Sequence, residues 1–146
     1  MQKKLKVRVK RLHKGSVLPR YAKIGDAGMD LTAISRSEVV GNIITYGTGL
    51  SIEIPEGYVG LIFPRSSIYK QDMYLTNCVG VIDSGYRGEI MFKYAITEVE
   101  QFANLYNVGD RVGQIIILPY PQIEFEEAEE LSSTERGEGG YGSTGK

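Results

Sequence analysis

One short stretch of this chain holds the groups that can do chemistry. Asp83, Tyr86 and Arg87 place a carboxylate, a phenol and a guanidinium within five residues, with Gly85 among them and Gly88 directly after. Two apolar runs, residues 77–82 and 89–94, flank this polar centre, the pattern of a β-hairpin with a chemically rich tip. A carboxylate at such a tip can serve as an acid–base group. A solvated turn with a charged tip is the plain reading of an isolated Asp-x-Gly; the rest of the chain decides between the two. The 146 residues contain one His and one Cys, too few for a zinc site or a His-based nucleophilic triad. Acid–base work falls to carboxylates, Tyr or Lys.

The elements that must position these groups read as strands. Leu5, Val7 and Val9 alternate with Lys6, Arg8 and Lys10, a half-buried strand with a basic outer face. Residues 25–33 are a glycine-punctuated turn entering a strand. Residues 37–46 form an extended run interrupted at Gly41-Asn42. Leu50, Ile52 and Ile54 alternate with Ser51 and Glu53 before a Pro55-Glu56-Gly57 turn. Residues 58–63 and 97–106 are further strands. Residues 112–118 are apolar and β-branched, a central strand stopped by Pro119 and Pro121. One short helix is expected after Pro64, through Gln71, with Ser66 or Ser67 as its cap. This is an all-β domain of many short strands, of the sandwich or barrel type.

At this length one domain is expected, large enough for a core without disulfide staples. Cys78 is expected to be a buried, inert thiol. The net charge of −1 gives no bulk argument for nucleic acid, although residues 3–14 carry seven Lys/Arg and residues 124–135 carry six Glu. Solvated faces explain both runs. No signal-peptide core or membrane span is evident, and a soluble cytoplasmic protein is expected (in the host-cell cytosol if the source is viral). Residues 1–123 read as the folded body. Residues 124–146 read as an acidic linker and a flexible glycine-rich arm, with five glycines after Glu135. Residues 140–146 spell G-x-x-x-x-G-K, but no hydroxyl residue follows the lysine and no strand–helix frame surrounds it, so a P-loop is rejected.

Five segments taken together resemble the homotrimeric deoxyuridine triphosphatase (dUTPase) family: AGMDLTA at 27–33, PRSS at 64–67, GVIDSGYRG at 80–88, GDRVGQ at 109–114, and the arm from Arg136-Gly137 to Thr144-Gly145. They occur in the family's order. The resemblance implies a distorted jelly-roll-like β-barrel with one short helix. It also implies hydrolysis of dUTP to dUMP and pyrophosphate, limiting uracil incorporation into DNA and supplying dUMP for dTMP synthesis.

By the same resemblance Asp83 orients and deprotonates the attacking water, and Tyr86 lies under the deoxyribose. Asn77 and the backbone of Gly80, Val81 and Ile82 read uracil, with Met91 in the same pocket. Arg65, Ser66 and Ser67 contact phosphates, Gln114 stands near the phosphates and the water, and Asp30 supports. In the arm, Arg136 pairs with the γ-phosphate, Tyr141 stacks on uracil, and Gly142, Ser143 and Thr144 close over the phosphates. Mg²⁺ is implied as cofactor, held by triphosphate oxygens and water, with no protein ligand. The site is implied to be shared among three subunits, with no nucleic-acid or membrane partner. Three positions depart from the family: Tyr141 where Phe is usual, Gly85 where an acid is common, and Ser67-Ile68 for the frequent Gly-Leu. Two rivals are a dCTP deaminase of the same fold, which needs a catalytic Glu and a different base-reading loop, and a trimeric nucleotide-binding regulatory module.

Overall fold

The computed structural model describes residues 4–97, 103–143 and 145. Its strands are β1 (Arg8–Arg11), β2 (Met29–Thr32), β3 (Ser35–Arg36), β4 (Ile43–Gly47), β5 (Leu50–Glu53), β6 (Tyr58–Phe63), β7 (Met73–Leu75), β8 (Gly80–Ile82), β9 (Met91–Ile96) and β10 (Arg111–Pro119). The strands form a β1-β5 ribbon and two four-stranded sheets, β2-β10-β6-β8 and β3-β4-β9-β7. The architecture is all-β and jelly-roll-like, as expected, though these ladders do not join into one closed barrel among the described residues. No helix among them is long and apolar enough to cross a membrane.

The two larger sheets meet face to face, and their sequences explain how. β10 is β-branched and central, pairing with β2 on one side and β6 on the other. Its Gly113 admits the ring of Phe92 from β9: a Cβ there would lie 2.2 Å from Phe92 Cε1. Tyr94 on β9 reaches across the same gap to donate to the Val112 carbonyl at 2.6 Å. Tyr46, Tyr94 and Tyr106 pack edge to face, with centroids 6.0 Å apart in each pair.

Burial raises the Tyr46 phenol to about 12, with Asp110 and Tyr106 adding to the rise and Arg36 opposing it. Burial raises Tyr94 further still. A phenol that stays neutral in the fold but ionises near 10 when unfolded stabilises the fold below that pH. That contribution drains away as pH climbs from about 10 to about 12. Alkaline titration should therefore show tyrosinate absorbance and loss of tertiary structure rising together at the end of this window. Smooth ionisation of all ten tyrosines near pH 10 in a folded protein would contradict it.

Four expectations need correction. The runs flanking Asp83 do not pair as a hairpin: β8 pairs with β6 and β9 with β4 and β7, in different sheets. The physical reason is side-chain fit. Ile62 of β6 packs so closely over Gly80 that a Cβ there would lie 2.3 Å from Ile62 Cγ1, while Phe92 and Tyr94 commit β9 to the core of the other sheet. Cys78 is exposed, at φ +60 in the turn before β8, and is no core thiol. β1 begins at Arg8, and all its residues are exposed, Leu5 and Val9 with it, because only β5 flanks it in this chain. The strand expected over 97–106 is absent from its described residues: Asp72 accepts from the N–H groups of Thr97 and Asn104, drawing the segment off any ladder.

The expected helix is a 3₁₀ turn, Ser66–Lys70, with Arg65 extended at its N-cap and no side-chain cap. Neither Ser66 nor Ser67 caps it; Ile68 N–H donates to the Arg65 carbonyl instead, the tighter bonding suited to a single short turn.

Candidate active site

Asp83 lies directly after β8, an edge strand of its sheet. An edge strand leaves outward N–H and C=O groups unpaired, and here they face a cavity of about 330 Å³. Asn77, Gly80, Val81, Ile82, Asp83, Tyr86 and Met91 all line it, together with Ile62, Thr76, Glu89 and Lys93. One concave site thus holds a carboxylate at its rim, an aromatic ring, an amide side chain and a free backbone edge. Tyr86 is fixed at both ends: its N–H donates to the Asp83 carbonyl at 3.1 Å and its hydroxyl to the Glu89 carbonyl at 3.0 Å. Asp83 itself is exposed.

A second cluster forms where Asp30, Gln114 and Phe63 stand in one cross-strand row of β2, β10 and β6. Asp30 sits between two guanidinium groups, Arg65 Nε on Oδ1 and Arg111 Nη1 on Oδ2, each at 3.0 Å. Arg65 Nη1 also approaches Ser67 Oγ at 3.4 Å. Gln114 Nε2 donates to the Pro64 carbonyl at 3.0 Å, and Ser66 is exposed beside them. With one carboxylate between two arginines, the cluster keeps net positive charge for an anion. Tyr106 lies beneath; burial raises its phenol while the Arg65 charge lowers it.

Within one chain the two clusters do not meet. Asp83 follows Ile82, which pairs with Gly60, whereas the Asp30–Gln114–Phe63 row lies at the far end of β6. Four strand positions separate them, roughly 13 Å.

The arm stands apart from both. Among the described residues after Tyr120, each hydrogen bond is local: Gln122 to Tyr120, and turns such as Arg136 Nε to the Gly139 carbonyl at 2.9 Å. Tyr141 is fully exposed at φ +51, next to Gly142 at φ +84, and Ser143 is exposed. Thr144 lies outside the described residues.

A family model described as dUTPase matches residues 14–145. The chain belongs to the dUTPase family. It is 42% identical over 148 residues to the deoxyuridine 5'-triphosphate nucleotidohydrolase of Fusobacterium nucleatum, covering 99% of each chain. It is 41% identical over 130 residues to that of Cutibacterium acnes, covering 88% of this chain and 85% of the relative. Among solved structures, a mutant dUTPase of Staphylococcus bacteriophage 80alpha with dUpNHpp superposes with a TM-score of 0.77 at 27% identity, over 96% of this chain and 98% of that one.

Seen as a dUTPase, the chain divides its five segments over three places: 80–88 at the cavity, 27–33, 64–67 and 109–114 at the arginine cluster, and the arm beyond both. Sequence reading missed both partners of Asp30, Arg65 and Arg111, and Ile62, Thr76, Glu89 and Lys93 as cavity wall. Strand periodicity was the usable signal for Lys93, since it shares a face with Met91 two residues before it. Arg111 lies in the GDRVGQ segment, but nothing local marked its pairing with Asp30, 81 residues away in sequence.

Proposed function

We propose that this chain is a dUTP diphosphatase that hydrolyses dUTP to dUMP and pyrophosphate as a cytoplasmic homotrimer. Such an activity limits uracil incorporation into DNA and supplies dUMP for dTMP synthesis. The observation that carries the reading is the cavity beside β8, with a free backbone edge at its wall and Asp83 at its rim.

Uracil enters the cavity and pairs with the outward N–H and C=O groups of Gly80–Ile82 and with Asn77. Cytosine offers the reverse donor pattern and leaves buried groups unpaired, which costs far more than a lost methyl contact. Met91 closes the apolar side. Tyr86, held at both ends, lies under the deoxyribose, where a ribose 2′-hydroxyl would collide with it. Asp83 accepts a proton from a water molecule as that water attacks the α-phosphorus, and pyrophosphate leaves.

Phosphate charge is met by the second cluster. Asp30 holds Arg65 in place, Ser66 and Ser67 donate to phosphate oxygens, and Gln114 stands near the phosphates and the water. Because that cluster and Asp83 are separated on one chain, the complete site takes Arg65 and Gln114 from one subunit, Asp83 from another, and the arm from the third. Residues 1–123 then act as the catalytic body and 124–146 as linker and lid. In the lid Arg136 pairs with the γ-phosphate, Tyr141 stacks on uracil, and Gly142, Ser143 and Thr144 cover the phosphates and exclude water.

Among the described residues no group of three His, Cys, Asp or Glu is placed to hold a metal. Mg²⁺ would be carried by triphosphate oxygens and water, with no residue of the chain as ligand. Bound in that way, Mg²⁺ supplies charge neutralisation on the phosphates.

Pyrophosphate release measured over dUTP, dCTP, dTTP and UTP, with and without Mg²⁺, tests the reading. Release from dUTP at least a hundredfold faster than from the others is expected. Ammonia from dCTP without pyrophosphate from dUTP would instead identify a deaminase.

A further inference from the structure

The loop that carries Asp83 and Tyr86 is poorly supported by packing on its outer side. There a cavity of about 440 Å³ separates Ser84, Gly85 and Arg87 from the β1-β5 ribbon. Polar bonds bridge the gap, and they converge on one residue. Arg87 Nη1 donates to the carbonyl of Ser84 at 2.7 Å and to that of Tyr86 at 3.0 Å. The side chain therefore folds back and fixes the turn between the acid and the ring. Its Nη2 lies 3.4 Å from Glu53 Oε1, and the other oxygen of that carboxylate holds Arg8 Nη1 at 3.0 Å. From the same face of β5, two residues before Glu53, Ser51 Oγ donates to the main-chain carbonyl of Arg87 at 2.6 Å. Ser51 is buried. Strand β5 thus grips Arg87 by both its backbone and its guanidinium.

We infer that Arg87, Glu53 and Ser51 are positioning residues for the hydrolysis: they brace the outer side of the 83–88 loop and set where the Asp83 carboxylate stands relative to the base cavity. The inference rests on the function proposed above. None of the three lines that cavity, so each acts through the loop and does not touch the base. Arg8, Glu53 and Arg87 have half- or well-exposed side chains, and ion pairs of that kind contribute little to global stability. Small displacements of a catalytic group are costly for turnover all the same. The brace should therefore affect kcat far more than folding.

The test is a double-mutant cycle on the full-length chain with Arg87→Ala, Glu53→Gln and both together. It reads kcat and KM for dUTP, affinity for dUpNHpp, and the urea midpoint. Each single change should lower kcat about tenfold, and the double no further than the worse single, because the two act as one unit. KM, analogue affinity and the urea midpoint should stay near the parent values, and Arg87→Lys, which keeps a cation opposite Glu53, should recover part of kcat. An active parent whose Arg87→Ala variant keeps kcat within about twofold would overturn the brace and leave the proposed function standing. Losses that multiply in the double mutant, or that follow a falling urea midpoint, would overturn it too. A parent that turns over no dUTP would overturn both.

Discussion

Replacing Asp83 with Asn should lower dUTP turnover by about a thousandfold while the protein folds, assembles and binds dUpNHpp as before. The change is isosteric and removes the negative charge and with it the ability to take a proton, a role that contributes roughly 10²–10⁴-fold when a side chain is well placed. The fold has no stake in this carboxylate. The side chain is exposed, and what the loop uses is the Asp83 carbonyl, which accepts the Tyr86 N–H and is unchanged in the variant. Single-turnover kinetics and analogue titration separate the two effects. Turnover within tenfold of the parent would mean that another group activates the water.

Removing residues 136–146 should leave a folded trimer with about a hundredfold less turnover or worse, because the phosphates would lie open to water. The buried core ends at Ile115, and the hydrogen bonds of the described residues beyond Tyr120 are local, so the body loses nothing that holds it together. The larger expectation comes from mixing. Truncated chains keep Asp83, and Asp83→Asn chains keep the arm. If acid and arm come from different subunits, every mixed trimer has one site with both intact. Co-refolding the two inactive proteins should restore measurable turnover. Activity no greater than the sum of the separate proteins would place acid and arm on the same chain, and an unfolded truncation product would end the lid account.

Alternation, β-branched runs and turn residues were enough to place β2, β4, β5, β6 and β10, and β6 has the bounds expected for it, residues 58–63. The failures share a cause, which is that pairing partners are chosen by long-range fit. The residues around Asp83 have all the local marks of a hairpin, yet β8 and β9 separate because Ile62 must settle over Gly80 while Phe92 fills the space left by Gly113. Cys78 sits in an apolar sequence context, but a positive φ turns it outward. The cavity residues named from the sequence, Asn77 to Met91, were legible because they lie within fifteen positions of one another, whereas Ile62 enters the cavity from a different strand. The Asp30–Arg65–Arg111 cluster was only partly so, since its members are brought together by the β2-β10-β6 order, which no local pattern encodes. The brace on Arg87 was illegible for the same reason: Ser51 and Glu53 read as the polar face of an ordinary strand.

The position of a bound substrate analogue tests the central claim most directly. A crystal structure of the full-length chain with dUpNHpp and Mg²⁺ should show the uracil against the outer edge of Gly80–Ile82, with an Asp83 oxygen within hydrogen-bonding distance of a water facing the α-phosphorus. It should also show Arg65 of a second subunit on the phosphates. A nucleotide lodged elsewhere, or one in the cavity with Asp83 turned away from any such water, would contradict the account.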